Sequence, residues 1–125
     1  MAKKIVKDTT EILLDEIIEG MLEVKAKDVV VMNLKNVHHA MADYFVICHG
    51  TSSTQVEAIS RSVERTTQEK LGYKPAHVEG VQNAQWILMD YFDIVVHVFN
   101  ETTRNYYAIE ELWADALFSR IEESA

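Results

Sequence analysis

Four groupings of residues in this chain are of types that chemistry uses, and their spacing decides what each could do. Gly50-Thr51-Ser52-Ser53 lies between an apolar run and a helical pattern, and free N–H groups at such a junction hold anions such as phosphate. The turn lacks the Gly-Lys-Ser/Thr ending of a Walker loop. It resembles the Gly-Ser entry of nucleotidyltransferases, yet no Asp-x-Asp pair follows on the next strand to bind a metal. An ordinary helix entry capped by Ser and Thr is the simpler reading. Asp90 and Asp93 form a carboxylate pair of the kind used for acid–base work. They flank a tight turn, however, where Asp serves by bonding nearby backbone N–H groups. The five histidines and Cys48 show neither His-x-x-x-His nor Cys-x-x-Cys spacing, so no metal or other cofactor is expected. Cys48 ends an apolar strand and reads as structural. The last grouping is Trp86, Asp90, Arg104 and Tyr107. Exposed Trp, Tyr and Arg are the usual anchors of protein interfaces, so it points to a docking surface, with core packing as the alternative.

These residues need strands and helices to position them. Residues 85–90 and 93–99 are rich in β-branched and aromatic types at strand length. The turn between them is too short for anything but an antiparallel pair. After the polar stretch 100–103, Tyr106, Ile109, Trp113 and Ala116/Leu117 recur at helical spacing and predict a helix over 103–121. That pattern places Trp113 in the core and Tyr107 on the exposed side. Upstream, Asp8 and Glu11 have capping-box spacing for a helix over 8–23, with Thr9 or Thr10 as alternative caps, and Gly20 near its end argues against the last turn. Strands are predicted over 28–34 and 43–48, with the loop 35–42 holding His38 and His39 between them. A second helix follows, with Thr54 and Glu57 as its capping box and Gly72 just past its end. Pro75 suits the start of a short edge strand within 73–79, and 80–84 is a turn. The order α-β-β-α-β-β-β-α implies an α/β single-domain protein, a mixed β-sheet flanked by helices.

At 125 residues the chain fits one domain, with 1–7 a flexible N-terminus and 119–125 a fraying C-terminus. Its 20 acidic against 12 basic residues give a formal charge of −8. Grip on DNA or RNA through phosphates needs a basic stripe, so no DNA partner is expected, and a basic protein partner fits better. One cysteine, no long apolar run and no signal-like start make a soluble, cytoplasmic protein without a membrane partner the expectation.

Read together, several segments resemble one family. They are residues 42–53, Gln55-Val56, Ala58-Ile59, Glu79-Gly80, 86–90, 93–99, Arg104 with Tyr107, Ile109-Glu110 and 112–116. The likeness spans residues 10–118 and is to the Iojap family, the bacterial ribosomal silencing factors. It implies a domain shaped like a nucleotidyltransferase without that activity. It also implies binding to large-subunit ribosomal protein fourteen, which blocks joining of the small subunit and represses translation when nutrients are short. The family's partner-binding tryptophan and tyrosine fall on Trp86 and Tyr107. Asp90, Asp93, His97, Arg104, Glu110, Leu112 and Trp113 also match its pattern, as parts of the surface or its support. The family's D-x-G-D turn has Phe92 here in place of glycine. Because Phe tolerates positive φ poorly, the turn is expected to take another form, with Phe92 adding an apolar contact to the docking face. The resemblance implies no enzyme. Two other classes stay open: a nucleotide-binding enzyme using residues 50–53 with Asp90 and Asp93, and a homodimeric scaffold, weakly associated, with Trp86 buried against its mate.

Overall fold

The computed structural model describes residues 8–113 and 116–121. The expected flexible start at 1–7 and the last part of the expected fraying end, 122–125, lie outside these residues. The elements run α1 (Thr9–Glu23), β1 (Lys27–Asn33), β2 (Tyr44–Gly50), α2 (Ser53–Leu71), β3 (His77–Glu79), β4 (Trp86–Asp90), β5 (Ile94–Asn100), α3 (Glu101–Tyr107), α4 (Ile109–Leu112) and β6 (Leu117–Ile121). Among the described residues, six strands make one sheet in the order β3-β4-β5-β2-β1-β6. The central β2–β5 pair is parallel and the other pairs are antiparallel. The mixed sheet expected from the sequence is present.

Both long helices cover one face of it. Asp8 caps α1 by accepting the Glu11 N–H at 2.8 Å, as the spacing predicts. Leu13, Ile17 and Met21 on α1, and Val56, Ile59 and Val63 on α2, pack on Val29, Val31, Val46, Cys48, Ile87, Met89, Ile94, Val96 and Val98. Each such aliphatic side chain, fully buried, contributes about 1.5–3 kcal/mol of transfer free energy. The helix runs past Gly20 to Glu23, and Gly20 lets the two helices touch. A Cβ there would lie 2.8 Å from the Val63 Cα, and the Ser62 hydroxyl donates to the Gly20 carbonyl at 2.7 Å. At the entry of α2 the cap is Ser52, which accepts the Gln55 N–H at 3.1 Å, and not Thr54. Ser52 holds extended backbone directly after β2, so the helix starts before the expected box. Gly72 ends it in the left-handed conformation, φ 71°, as expected of that position.

The single helix expected over 103–121 is replaced by three elements. Ala108 turns left-handed, φ 45°, and its N–H bonds the Arg104 carbonyl at 2.8 Å, ending α3. The segment 117–121 alternates Leu-Phe-Ser-Arg-Ile and pairs antiparallel with β1, Met32 opposite Phe118 and Val30 opposite Arg120. A strand partner 90 positions away outweighs a local helical pattern that propensity alone would favour. Tyr106, expected on the core side of that helix, is consequently 77% exposed. Positions 119–121, expected to fray, belong to β6.

Candidate protein-docking site

The second face of the sheet carries Trp86, Leu88 and Asp90 from β4, Val95, His97 and Phe99 from β5, and Phe45 and Ile47 from β2. The registers pair Trp86 with Phe99, Leu88 with His97 and Phe45 with Val95. Over β1 and β2 this face is closed by Ile109, Trp113 and Ala116, together with Val37 and Ala40 of the β1–β2 loop. Over β4 the cover stops, and Trp86, Leu88 and Val95 are left half-buried.

Trp86 is the centre of this open part. Its ring stacks on Phe99 at 4.8 Å between centroids, tilts against Tyr107 at 5.1 Å, and its Nε1–H donates to His97 Nδ1 at 3.1 Å. Tyr107, at the end of α3, is 51% exposed and meets Tyr106 edge-on. His97 lies beneath, and burial pushes its pKa down to about 4, so the ring is neutral and its Nδ1 lone pair is free for Trp86. Its Nε2 is buried with no hydrogen-bond partner. Phe45 packs edge-on against both His97 and Trp113, linking the exposed part to the covered part. Leu112, on α4, adds an apolar side chain 74% exposed.

The structure thus brings Trp86, Tyr107, His97 and Trp113 into one continuous cluster. Phe45, Phe99 and Tyr106 complete it and were not singled out as site residues from the sequence. Period-two alternation puts 45/47, 86/88 and 97/99 on common faces, but only the strand order makes those faces one.

Other expected residues lie elsewhere. Asp90 shares the Trp86 face but stands four positions along the strand, roughly 13 Å away. Its Oδ1 accepts the Phe92 N–H at 2.8 Å. Asp93 accepts from the Thr10 hydroxyl at 3.4 Å. Both carboxylates therefore serve the turn and its neighbours. Phe92 keeps the positive φ, 72°, that was expected to be avoided, and Asp93 N–H bonds the Tyr91 carbonyl across it at 3.0 Å. This is a γ-turn of the strained kind, held by the Asp90 side chain on one side and the β4–β5 ladder on the other. The Phe92 ring, 74% exposed, borders a cavity of about 320 Å³ with Thr10, Leu13, Tyr73, Lys74 and Tyr91. It stands at the α1 end of the molecule and not beside Trp86.

Arg104 is not on the surface. It is 4% exposed, donating to the Asp28 carbonyl, to His49 and to Glu110. Glu110, expected beside the docking surface, faces inward to it. Burial, and then the adjacent Arg104 charge, hold the His49 pKa below its usual value. In the turn at 50–53 the Gln55 side chain accepts the Thr51 N–H at 2.9 Å, and the Ser52 hydroxyl accepts the Gln55 N–H as the helix cap. Cys48 is fully buried and its thiol is pushed up to about 12. No described helix is long and apolar enough to cross a membrane.

The chain is similar to known proteins over nearly its whole length. Residues 7–125 match the family described as "Ribosomal silencing factor during starvation". A ribosomal silencing factor RsfS from Halalkalibacterium halodurans is 41% identical over 104 residues, covering 83% of this chain and 87% of the relative. One from Bacillus subtilis is 41% identical over 92 residues, 74% of this chain and 76% of that one. A crystal structure of a Chromobacterium violaceum protein superposes with a TM-score of 0.79 at 30% identity, covering 86% of this chain and 88% of the other. The fold, the extent of the match and the level of identity agree, and the chain belongs to the ribosomal silencing factor family.

Proposed function

We propose that this chain represses translation by docking through the Trp86–Tyr107 surface on large-subunit ribosomal protein fourteen, where its bulk excludes the small subunit. Family membership supplies the ribosome-associated silencing role. The observation that supports the docking face is the incomplete cover of β4: an indole fixed by stacking and a hydrogen bond, flanked by exposed Tyr107 and, next to it, Tyr106. A rigid aromatic anchor in an apolar surround is what hot spots of protein interfaces look like. Occlusion needs no turnover, so the chain acts as a regulator and not as an enzyme, at the ribosome in the cytoplasm. The engaged Gln55, Ser52, Asp90 and Asp93 side chains favour this over nucleotide chemistry.

The test is to mix the protein with purified large subunits, add small subunits and follow joining on a sucrose gradient. Separate subunits, with the protein in the large-subunit peak, are expected. Trp86→Ala or Tyr107→Ala should weaken binding by about 2 kcal/mol or more, roughly thirtyfold. Unimpaired joining with the protein at the top of the gradient would overturn the occlusion mechanism. Parent-like affinity in both variants would move the docking face elsewhere.

A further inference from the structure

Arg104 sits in the last turn of α3, yet every group it holds belongs to another element. One guanidinium nitrogen, Nη1, donates to the Asp28 backbone carbonyl at 2.8 Å and to His49 Nδ1 at 2.9 Å. Nε and Nη2 donate to the two oxygens of Glu110 at 3.4 and 3.3 Å. The Asp28 carboxylate lies 3.6 Å from Nη2 and is itself paired with Arg120. β1, β2 and α4 are thus tied to α3 through one planar side chain.

The backbone around this side chain is shaped to receive it. Asp28 has φ 48°, and the β1–β2 register shifts between Lys27 and Val30. That bulge frees the Asp28 carbonyl from the ladder for Arg104. Between Arg104 and Glu110 the chain reverses at Ala108, with φ 45°. α3 has seven residues and α4 four, too short to persist without tertiary support. Tyr107 and Leu112 are carried by these two helices.

A cavity of about 230 Å³ opens beside Arg104, lined also by Asp28, His49 and Glu110. Glu111 also lines it, but the Arg104 guanidinium is already engaged by Asp28, His49 and Glu110, which fits a strut and not a ligand pocket. Arg104 also has too little exposed surface, 4%, to meet a partner directly.

We propose that Arg104 is a positioning residue: with Glu110 and the Asp28 carbonyl it clamps α3 and α4 to the sheet, so that Tyr107 stands against Trp86 before the partner arrives. Its own contacts stay within the chain. This rests on the docking reading above and replaces Arg104 as a direct anchor. A pre-formed surface binds more tightly because less ordering remains to be done on association. Lysine cannot substitute, because a single ammonium lacks the fork that reaches a carbonyl, an imidazole and a carboxylate together.

Two measurements on the full chain test it, using Arg104→Lys, Arg104→Ala and the milder Glu110→Gln. The first needs no ribosome: amide hydrogen exchange over residues 105–112 should quicken in all three variants while β2, β4 and β5 exchange as in the parent. The second is affinity for purified large subunits. Arg104→Lys should lose about as much as Arg104→Ala, on the order of tenfold, the scale set by ordering one or two interface side chains. The dependence of binding on salt should match the parent's, because no intermolecular ion pair is lost. Parent-like binding by Arg104→Lys, or weaker binding with unchanged exchange over 105–112, would overturn the proposal. If Arg104→Ala does not fold, Arg104→Lys and Glu110→Gln decide it. Failure of the parent to bind large subunits would sink the docking reading and the role assigned to Tyr107, while the exchange result alone would still decide the clamp.

Discussion

His97 is held neutral under Trp86, and that has a consequence for pH. Burial pushes its pKa down to about 4, whereas an unfolded histidine titrates near 6.5. Between those values the unfolded chain binds the extra proton, so stability falls as pH drops through that window and levels off below it. From about pH 7.5 to about pH 5 the loss from this group should be about 2 kcal/mol. His49, whose pKa is also lowered by burial, acts in the same direction. Urea unfolding across this range should show the fall, and His97→Gln should flatten it in part; a parent chain with pH-independent stability would contradict the assignment. Phe92 offers a second residue-scale prediction. Its left-handed φ of 72° strains a Cβ-bearing residue by about 1–2 kcal/mol, partly offset by the roughly 0.5–1 kcal/mol of extra chain entropy that glycine loses on folding. Since the ring is largely exposed, Phe92→Gly should stabilise by about 0.5 kcal/mol. Phe92→Ala, which keeps the Cβ, should bring no such gain. The strain of Phe at a glycine position is legible in the motif, whereas the ability of the turn to bear it is not. The Asp90 side chain and the β4–β5 ladder over-determine the backbone there; Asp90 is in the motif, but the ladder that completes the restraint extends beyond its four residues. Arg104 was misplaced for a like reason: an arginine among tyrosines looks exposed until the Asp28 bulge supplies an acceptor in the interior.

Among the elements, Gly20 decides how closely α1 and α2 pack. Alanine is the better helix former by about 1 kcal/mol, so propensity alone would have Gly20→Ala stabilise. A Cβ 2.8 Å from the Val63 Cα must push the helices apart, and overpacking of this kind costs about 1–3 kcal/mol. Thermal unfolding should show a net loss; a gain would mean that the helices can separate freely. The elements that were legible in the sequence are those whose signal is local. Asp8 with Glu11, Gly72, the 85–90 and 93–99 strands and the edge strand after Pro75 all announce themselves within a few residues. The last helix was misread because Tyr106, Ile109 and Trp113 do recur at helical spacing, while the break at Ala108 carries no Gly or Pro. What converts 117–121 to a strand is the free edge of β1, a tertiary fact. The open second face of β4 was equally hidden, since it follows from strand order.

For the molecule as a whole, a formal charge of −8 predicts how it should find a basic partner. Long-range attraction raises the association rate and is screened beyond about 10 Å at 0.1 M salt. Raising salt from about 0.05 M to about 0.5 M should therefore slow association with large subunits several-fold and change dissociation little. Stopped-flow kinetics would show it, and a salt effect confined to dissociation would place the charge contribution in the bound complex instead. The order of the sheet has one more consequence, which concerns the timing of synthesis. Its central parallel pair joins residues 44–50 to 94–100, and β1 waits for β6 at 117–121. The aromatic cluster likewise draws on Phe45, Trp86, Phe99, Tyr107 and Trp113. A growing chain emerges N-terminal end first, so the proposed docking surface cannot be complete until residues through Trp113 have left the ribosome that makes it. A silencing factor whose N-terminal strands alone have emerged cannot yet engage a partner through that face.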